Sequence, residues 1–253
     1  MLIQNNIYDD LRVKGFSKIK LFNKNDINNF KIQIVKILNR KKFIKKKFNI
    51  NNLQKYHQIV KKENIHKKFT DPKNRYLRFE KKIVEKIRKN NKIKLLLEET
   101  WHENNFDIKL YQKKNIKKNF GAFRLARPYK KFKDDVGGVH LDLHFNNKIH
   151  KNHKILYTLW VPIIGNDKKS TLRLAPGSHN IKHDIKNLTK QNKYVSKIFK
   201  ESYVKKFKFN RYNMKQGEVL IFHPNLLHGG SKNLTINTRI SFDFRIFNRK
   251  FTN

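Results

Sequence analysis

The sequence lacks cysteine and contains few glycines, prolines and acidic residues. Without a thiol, the 253-residue chain cannot form a disulfide, a cysteine-ligated zinc or iron–sulfur site, or a thiol nucleophile. Any bound metal must therefore be held by His, Asp or Glu. The apolar runs are far shorter than the roughly 18 residues of a membrane span, and the first residues resemble neither a signal peptide nor a transit peptide. We therefore expect a cytoplasmic protein without a membrane span.

The shortage of acidic residues leaves a formal net charge of +41, from 60 Lys and Arg against 19 Asp and Glu. Such a charge is typical of proteins that bind nucleic acid or another polyanion. The chain is also rich in Asn, Ile and Phe, as AT-rich codons produce whatever the function, and we favour this compositional origin of the lysines. Non-specific polyanion binding is expected in either case. The sequence leaves the oligomeric state open.

Residues 1–110 have a mainly helical pattern. A short strand is predicted within residues 1–20. Helices are predicted from Asp26 onward, over Leu53–Phe69 and over Tyr76–Trp101, because apolar residues recur there at helical spacing.

After residue 110 the pattern changes to short runs of aromatic and β-branched residues, separated by glycine and proline turns. The runs that predict strands are Phe120–Ala126, Val139–Phe145, Ile155–Ile163, Thr171–Ala175, Glu218–Phe222 and Thr238–Phe247. Such strands favour an antiparallel barrel or sandwich. A lysine-rich insertion at residues 180–212 is predicted to be helical around Tyr194–Tyr203.

The chain shows neither an internal repeat nor a long flexible linker. We therefore expect residues 1–253 to form one α+β domain with a mainly β core. Its parts would be the helical region 1–110 and the β core 111–253, with the insertion at about 180–212.

Two candidate metal ligands lie in the run Gly137-Gly138-Val139-His140-Leu141-Asp142. Alternate side chains of a strand share a face, so His140 and Asp142 can bind one ion. Two histidines and one carboxylate on one face of iron(II) leave positions open for a bidentate 2-oxo acid and O2. We assign His228 as the third ligand, because it ends an apolar strand just before Gly229-Gly230, where the backbone can approach a metal closely.

Arg239 and Ser241 are candidate ligands of the co-substrate. They lie in the next predicted strand and share one of its faces. A guanidinium can bind the distal carboxylate of 2-oxoglutarate bidentately, and the hydroxyl can donate to the same carboxylate.

These motifs together resemble the phytanoyl-CoA dioxygenase-like family of Fe(II)- and 2-oxoglutarate-dependent oxygenases. The resemblance is carried by the His-Leu-Asp strand at 140–142, the turn Leu174–His179, the strand at 217–222, His228 and Arg239. It covers residues 115–247, and the N-terminal helices, which usually shape the substrate pocket, have no counterpart in it.

The resemblance implies a double-stranded β-helix (jelly-roll or cupin-like) with N-terminal helices packed on it. It also implies a dioxygenase that uses iron(II), 2-oxoglutarate and O2. The implied reaction is hydroxylation of a small or carrier-linked metabolite, sugar-like or acyl, with release of succinate and CO2. His140, Asp142 and His228 would then be the catalytic metal ligands, and Arg239 would hold the co-substrate.

Four residues on neighbouring strands are candidate walls of the substrate pocket. They are Arg127, Phe123, Tyr157 and Trp160. Ordinary core packing is the simpler explanation of the three aromatic residues. Arg124 and Arg127 are separated by an odd number of positions, so they cannot both face inward from one strand.

Other histidines offer a competing ligand set. They are His144, His150 and His153 near the first metal strand, whereas His179 and His223 are expected to be structural.

Two other functions remain open at this point. The first is a nucleic-acid-directed oxidative demethylase. Arg245 shares a strand face with Arg239, and this spacing of two arginines is similar to that in nucleic-acid demethylases of the same superfamily. A catalytically inactive, basic binding module on the same fold is the second alternative, although the intact ligand set argues against it.

Overall fold

The computed structural model describes residues 7–40, 42–71, 74, 76–102, 106–109, 120–132, 135–145, 155–192 and 196–248. Within these ranges, none of the helices combines the length and apolar character needed to cross a membrane.

Helices dominate the first part of the chain. They are α1 (Ile7–Lys14), α2 (Lys24–Arg40), α3 (Tyr56–Ile59), α4 (Glu63–Thr70), α5 (Lys81–Arg88) and α6 (Asn91–Trp101), followed later by the short α7 (Ile185–Leu188) and α8 (Glu201–Val204). The helix predicted from Asp26 is present, and the one predicted over Leu53–Phe69 is divided into a 3-10 helix at Ile50–Lys55, α3 and α4. The prediction of one helix over Tyr76–Trp101 is wrong at its start, because Tyr76–Arg78 is a strand, and its remainder is divided into α5 and α6. The first element differs from the prediction, because α1 precedes the expected strand.

The longest helix, α2, shows how the sequence specifies this layer. Asn23 and Asp26 exchange hydrogen bonds between side chain and backbone, which satisfies N–H groups at the start of the helix. Its buried side chains include Ile27, Phe30 and Ile34, which recur at helical spacing. The Phe30 ring lies 4.7 Å from that of Phe242 in the barrel, so this stripe packs directly on a sheet.

The six predicted core strands are present in whole or in part, together with strands that were not predicted. They are β1 (Phe16–Lys20), β2 (Tyr76–Arg78), β3 (Phe106–Lys109), β4 (Phe120–Ala126), β5 (Val139–His140), β6 (Ile155–Ile164), β7 (Arg173–Leu174), β8 (Thr189–Asn192), β9 (Ser196–Phe199), β10 (Asn210–Arg211), β11 (Glu218–Phe222), β12 (His228–Gly229) and β13 (Arg239–Asn248).

Two antiparallel sheets form the barrel. The seven-stranded sheet has the order β1-β11-β6-β13-β4-β2, with β3 also paired to β13, and the four-stranded sheet has the order β10-β7-β12-β5. Trp160 and Phe222 of the large sheet pack with Leu174 of the small sheet. The two sheets therefore enclose a common interior, as in the predicted jelly-roll fold.

Side chains along β13 alternate between two faces, one toward the helices and one toward this interior. Its apolar side chains, Ile240, Phe242, Phe244 and Ile246, belong to the core that β13 shares with the helices. The intervening residues Arg239, Ser241, Asp243 and Arg245 are buried as well, but they are polar. Because successive side chains point to opposite faces, these four face the barrel interior.

The insertion differs from its prediction. Instead of a helix around Tyr194–Tyr203, it contains the hairpin β8–β9 followed by α8, and Tyr194 itself lies outside the described residues. The apolar residues of this segment pack on the outer face of the small sheet, where Phe199 meets Val139 and Leu227. That contact with a sheet favours extended backbone over a helix.

Candidate metal centre

The structure brings the three predicted ligands together. His140 on β5 and His228 on β12 are direct cross-strand partners, and their rings lie 4.3 Å apart. Asp142 was predicted to continue the strand, but it begins a short 3-10 helix just after the strand ends. One ligating atom from each residue nevertheless lies within 4.8 Å of the other two.

Both histidines present the same ring nitrogen to this point. Nδ1 of His140 donates to the Gly138 carbonyl at 3.0 Å, and Nδ1 of His228 donates to the Leu226 carbonyl at 2.9 Å. Burial, together with the neighbouring His228, lowers the pKa of His140 to about 3, and burial also lowers the pKa of His228. Two neutral imidazoles, each oriented by a hydrogen bond from Nδ1, are the form that binds a metal through Nε2.

The Asp142 carboxylate is buried and ionised. Burial alone would raise its pKa, but the positive charge and hydrogen bond of Arg245, together with the neighbouring His228 and His140, outweigh that effect and hold the pKa well below its usual value. Arg245 donates from Nη2 to Oδ1 at 2.7 Å, and the Thr158 hydroxyl donates to Oδ2. The donor set of two neutral imidazoles and one carboxylate fits iron(II).

Gly229 permits the close approach of β5 and β12, the strands that carry the two histidine ligands. Its φ of +99° is one that residues with a side chain rarely adopt. A Cβ atom at this position would lie 2.9 Å from the His140 ring. Glycine is therefore required here both for the turn and for the position of a ligand.

Arg239 and Ser241 lie at the buried start of β13, as predicted. The Arg239 guanidinium donates from Nη1 to the carbonyls of Ser170 and Ser231, at 3.0 and 3.1 Å. Among the described residues, Arg239 Nε and Ser241 Oγ are buried without a hydrogen-bond partner. Burial lowers the pKa of Arg239 to about 10, which keeps it charged at neutral pH. These unused donors fit a carboxylate group.

The family model for phytanoyl-CoA dioxygenase (PhyH) matches residues 45–241. The chain belongs to the phytanoyl-CoA dioxygenase family. It is therefore a 2-oxoglutarate-dependent non-haem iron dioxygenase, with iron(II), 2-oxoglutarate and O2 as its reaction partners. The match begins well before residue 115, so it includes helices that the sequence motifs alone did not reach.

Solved structures of other proteins share the fold. The iron-bound EctD from S. alaskensis is 12% identical and aligns with a TM-score of 0.55, over 97% of this chain and 76% of the other. SnoK, the carbocyclase from nogalamycin biosynthesis, is 11% identical with a TM-score of 0.54, over 98% and 85% of the two chains. EvdO2 from Micromonospora carbonacea is 11% identical with a TM-score of 0.55, over 100% and 95%. No curated protein matches the sequence.

In this member of the phytanoyl-CoA dioxygenase family, a cavity of about 170 Å³ opens beside the three candidate ligands. Arg239 and Trp160 line parts of its wall, and α4 contributes Glu63, Lys67 and Thr70. These three positions are spaced by four and three residues, so they form one face of the helix. Of the predicted wall residues, Trp160 is thus placed at the cavity.

Phe123 and Tyr157 are not part of the cavity wall. Both belong to the core between the large sheet and the helices, on the opposite face from Arg124 and Trp160. Strand alternation explains this placement, since each lies an odd number of positions from the inward-facing residue of its own strand.

Arg127 is likewise absent from the cavity wall. Its buried guanidinium binds Asp135, with Nη2 2.6 Å from Oδ1, and also binds Glu63. It follows the end of β4, so strand alternation no longer determines its direction. Arg127 connects α4 to the loop before β5, whereas Arg124 faces the cavity and binds Asp243.

Sequence reasoning missed several polar residues of the interior. Thr158, Asp243 and the polar face of α4 were not predicted, although the alternation that selected Arg239 and Ser241 also selects position 243. The contact of Thr158 with Asp142 had no sequence signal.

The remaining histidines do not form a second ligand set among the described residues. His150 and His153 lie outside those residues, as does the side chain of His144. His179 Nε2 lies 3.1 Å from the Arg12 carbonyl, and its ring is 5.5 Å from that of His223. Their contacts are those of structural residues, in agreement with the expectation.

Proposed function

We propose that this chain hydroxylates a small or carrier-linked metabolite at an iron centre formed by His140, Asp142 and His228. The observation that carries the proposal is the convergence of their ligating atoms within 4.8 Å, with both histidines neutral and oriented through Nδ1. Bound iron would couple oxidation of a substrate C–H bond by O2 to the decarboxylation of 2-oxoglutarate, which yields succinate and CO2. His140, Asp142 and His228 would hold the iron on one face, which would leave the other face for these reactants.

Arg239 and Ser241 are proposed to hold the distal carboxylate of 2-oxoglutarate. Both groups are buried, and both retain hydrogen-bonding capacity that no described residue uses. A charged guanidinium in a dry site binds a carboxylate strongly. It thereby orients the 2-oxo acid end of the molecule toward the ligands.

The polar face of α4 supports a substrate with hydrogen-bonding groups. Glu63, Lys67 and Thr70 line the cavity, whereas no described residue of the 180–212 insertion does. We therefore propose that the substrate approaches beside α4, and not along the lysine-rich insertion. The fold does not determine the oxidative outcome, since SnoK is a carbocyclase and SnoN an epimerase.

The proposal is tested by succinate formation from 2-oxoglutarate in the presence of iron(II) and O2. The protein is supplied in turn with sugar-like, amino-acid and acyl-thioester compounds, and Asp142→Ala serves as the matched control. One compound class should stimulate succinate formation in step with its own hydroxylation, and the Asp142→Ala protein should form none. Wild-type turnover that never exceeds that of Asp142→Ala would refute the proposed function.

A further inference from the structure

Both oxygens of the Asp142 carboxylate are held by residues that sequence motifs do not assign to the metal centre. Arg245 Nη2 binds Oδ1 at 2.7 Å, and Thr158 Oγ1 binds Oδ2. Arg245 and Thr158 are direct cross-strand partners on β13 and β6. Because such a pair presents its side chains on the same face of the sheet, the two donors bind the carboxylate from one rigid surface.

These two hydrogen bonds fix the rotation of the carboxylate. With a buried donor on each oxygen, the group cannot turn without losing a charge-assisted hydrogen bond in a dry interior. Oδ1 therefore stays 3.9 Å from Nε2 of His228, on the side where the other two ligands converge. A fixed carboxylate that offers one oxygen keeps the further coordination positions open for the co-substrate and O2.

Arg245 is available for this contact because a neighbouring acid is already occupied. Asp243 shares its strand face and lies two positions away, so it could compete with Asp142 for Arg245. Both Asp243 oxygens are instead bound by Arg124, at 2.6 and 3.2 Å. Asp142 and Asp243 thus bind different arginines.

We propose that Arg245 is a positioning residue of the metal centre, which together with Thr158 orients the Asp142 carboxylate so that one oxygen faces the iron. The inference rests on the proposed role of Asp142 as a metal ligand. It also accounts for Arg245 without a nucleic-acid substrate, which its spacing from Arg239 had suggested.

The test compares the iron affinity of Arg245→Gln with that of Arg127→Gln. Arg127 is a matched control, because its guanidinium is equally buried and binds a buried carboxylate that is not a candidate ligand. Both variants remove the arginine partner of a buried acid and should lose stability. Only Arg245→Gln should raise the dissociation constant for iron(II), by about 10- to 100-fold, the range found when the hydrogen-bond partner of a metal ligand is removed.

Thr158→Val and Arg245→Lys keep the test decisive if Arg245→Gln does not fold. Thr158→Val should also weaken iron binding, and Arg245→Lys should restore part of the affinity, because it retains a charge but not the guanidinium geometry. Folded Arg245→Gln or Thr158→Val protein with wild-type iron affinity would overturn this inference alone. A wild-type protein that binds no iron, or Asp142→Ala that binds it normally, would overturn the proposed function instead.

Discussion

Arg239 differs from the other inward or buried arginines of the barrel in having no carboxylate partner. The partners of the others are Asp243 for Arg124, Asp135 for Arg127 and Asp142 for Arg245. Within the part of the chain that the structure describes, Arg239 donates only to backbone carbonyls. A buried cation with neutral partners is costly. A dianionic co-substrate would supply the missing charge.

Substitutions at the start of β13 should change the affinity for 2-oxoglutarate and the thermal stability of the ligand-free protein to different extents. Arg239→Ala should weaken 2-oxoglutarate binding about 10- to 100-fold, since a hydrogen bond to a charged group contributes roughly 1.5–3 kcal/mol. Ser241→Ala should weaken it less, and should not lower the melting temperature of the ligand-free protein, because its hydroxyl has no hydrogen-bond partner among the described residues. Calorimetric titration and thermal unfolding measure the two effects. A marked loss of stability in ligand-free Ser241→Ala would contradict this assignment.

Candidate site residues could be selected from the sequence, but the contacts between them could not. His140, Asp142 and His228 were selected from sequence, yet the shared strand face assumed for the first two is wrong, because β5 ends at His140. The Arg245–Asp142 contact joins residues 103 positions apart. Such a pair depends on how the sheets fold over one another, which local alternation does not specify.

At the level of elements, the bounds of long strands could be predicted more closely than those of short ones, since the strands predicted at Val139–Phe145 and Thr171–Ala175 have only two residues each in the structure. The alternation of β13 and the apolar run of β11 are visible in the sequence. By contrast, β5 and β12 contain two residues each and depend on their mutual pairing. The insertion was misassigned for a related reason, since its hairpin is stabilised by packing on the small sheet.

The pairing of β5 with β12 should depend on Gly229. Gly229→Ala should weaken iron binding and lower stability, because the new Cβ would meet the His140 ring as well as strain the backbone. Gly177→Ala is the matched control: φ is +79°, but the nearest atom to an added Cβ is 3.9 Å away. It should lose stability and keep its iron affinity. Equal iron affinities of the two variants, measured by titration and with folding checked by circular dichroism, would argue against this role of Gly229.

Across the whole molecule, the cavity does not share the charge excess of the chain. Among the residues that the structure describes, its wall carries four acidic side chains, Glu63, Asp135, Asp142 and Asp243, and four basic ones, Lys67, Arg124, Arg239 and Arg245. The chain as a whole has a net charge of +41. The excess therefore lies away from the cavity, which agrees with a compositional origin of the lysines and separates any polyanion binding from the reaction. That residues 1–253 form a single domain stays a prediction.

The most direct test of the iron centre is an anaerobic titration of the purified protein with iron(II) in the presence of 2-oxoglutarate. Chelation of a 2-oxo acid by iron gives a weak visible charge-transfer band. We predict that the wild-type protein develops this band to saturation at one iron per chain, and that His228→Ala does not. A wild-type protein without the band, or a folded His228→Ala protein with an unchanged one, would contradict the assignment of His140, Asp142 and His228 as the metal ligands.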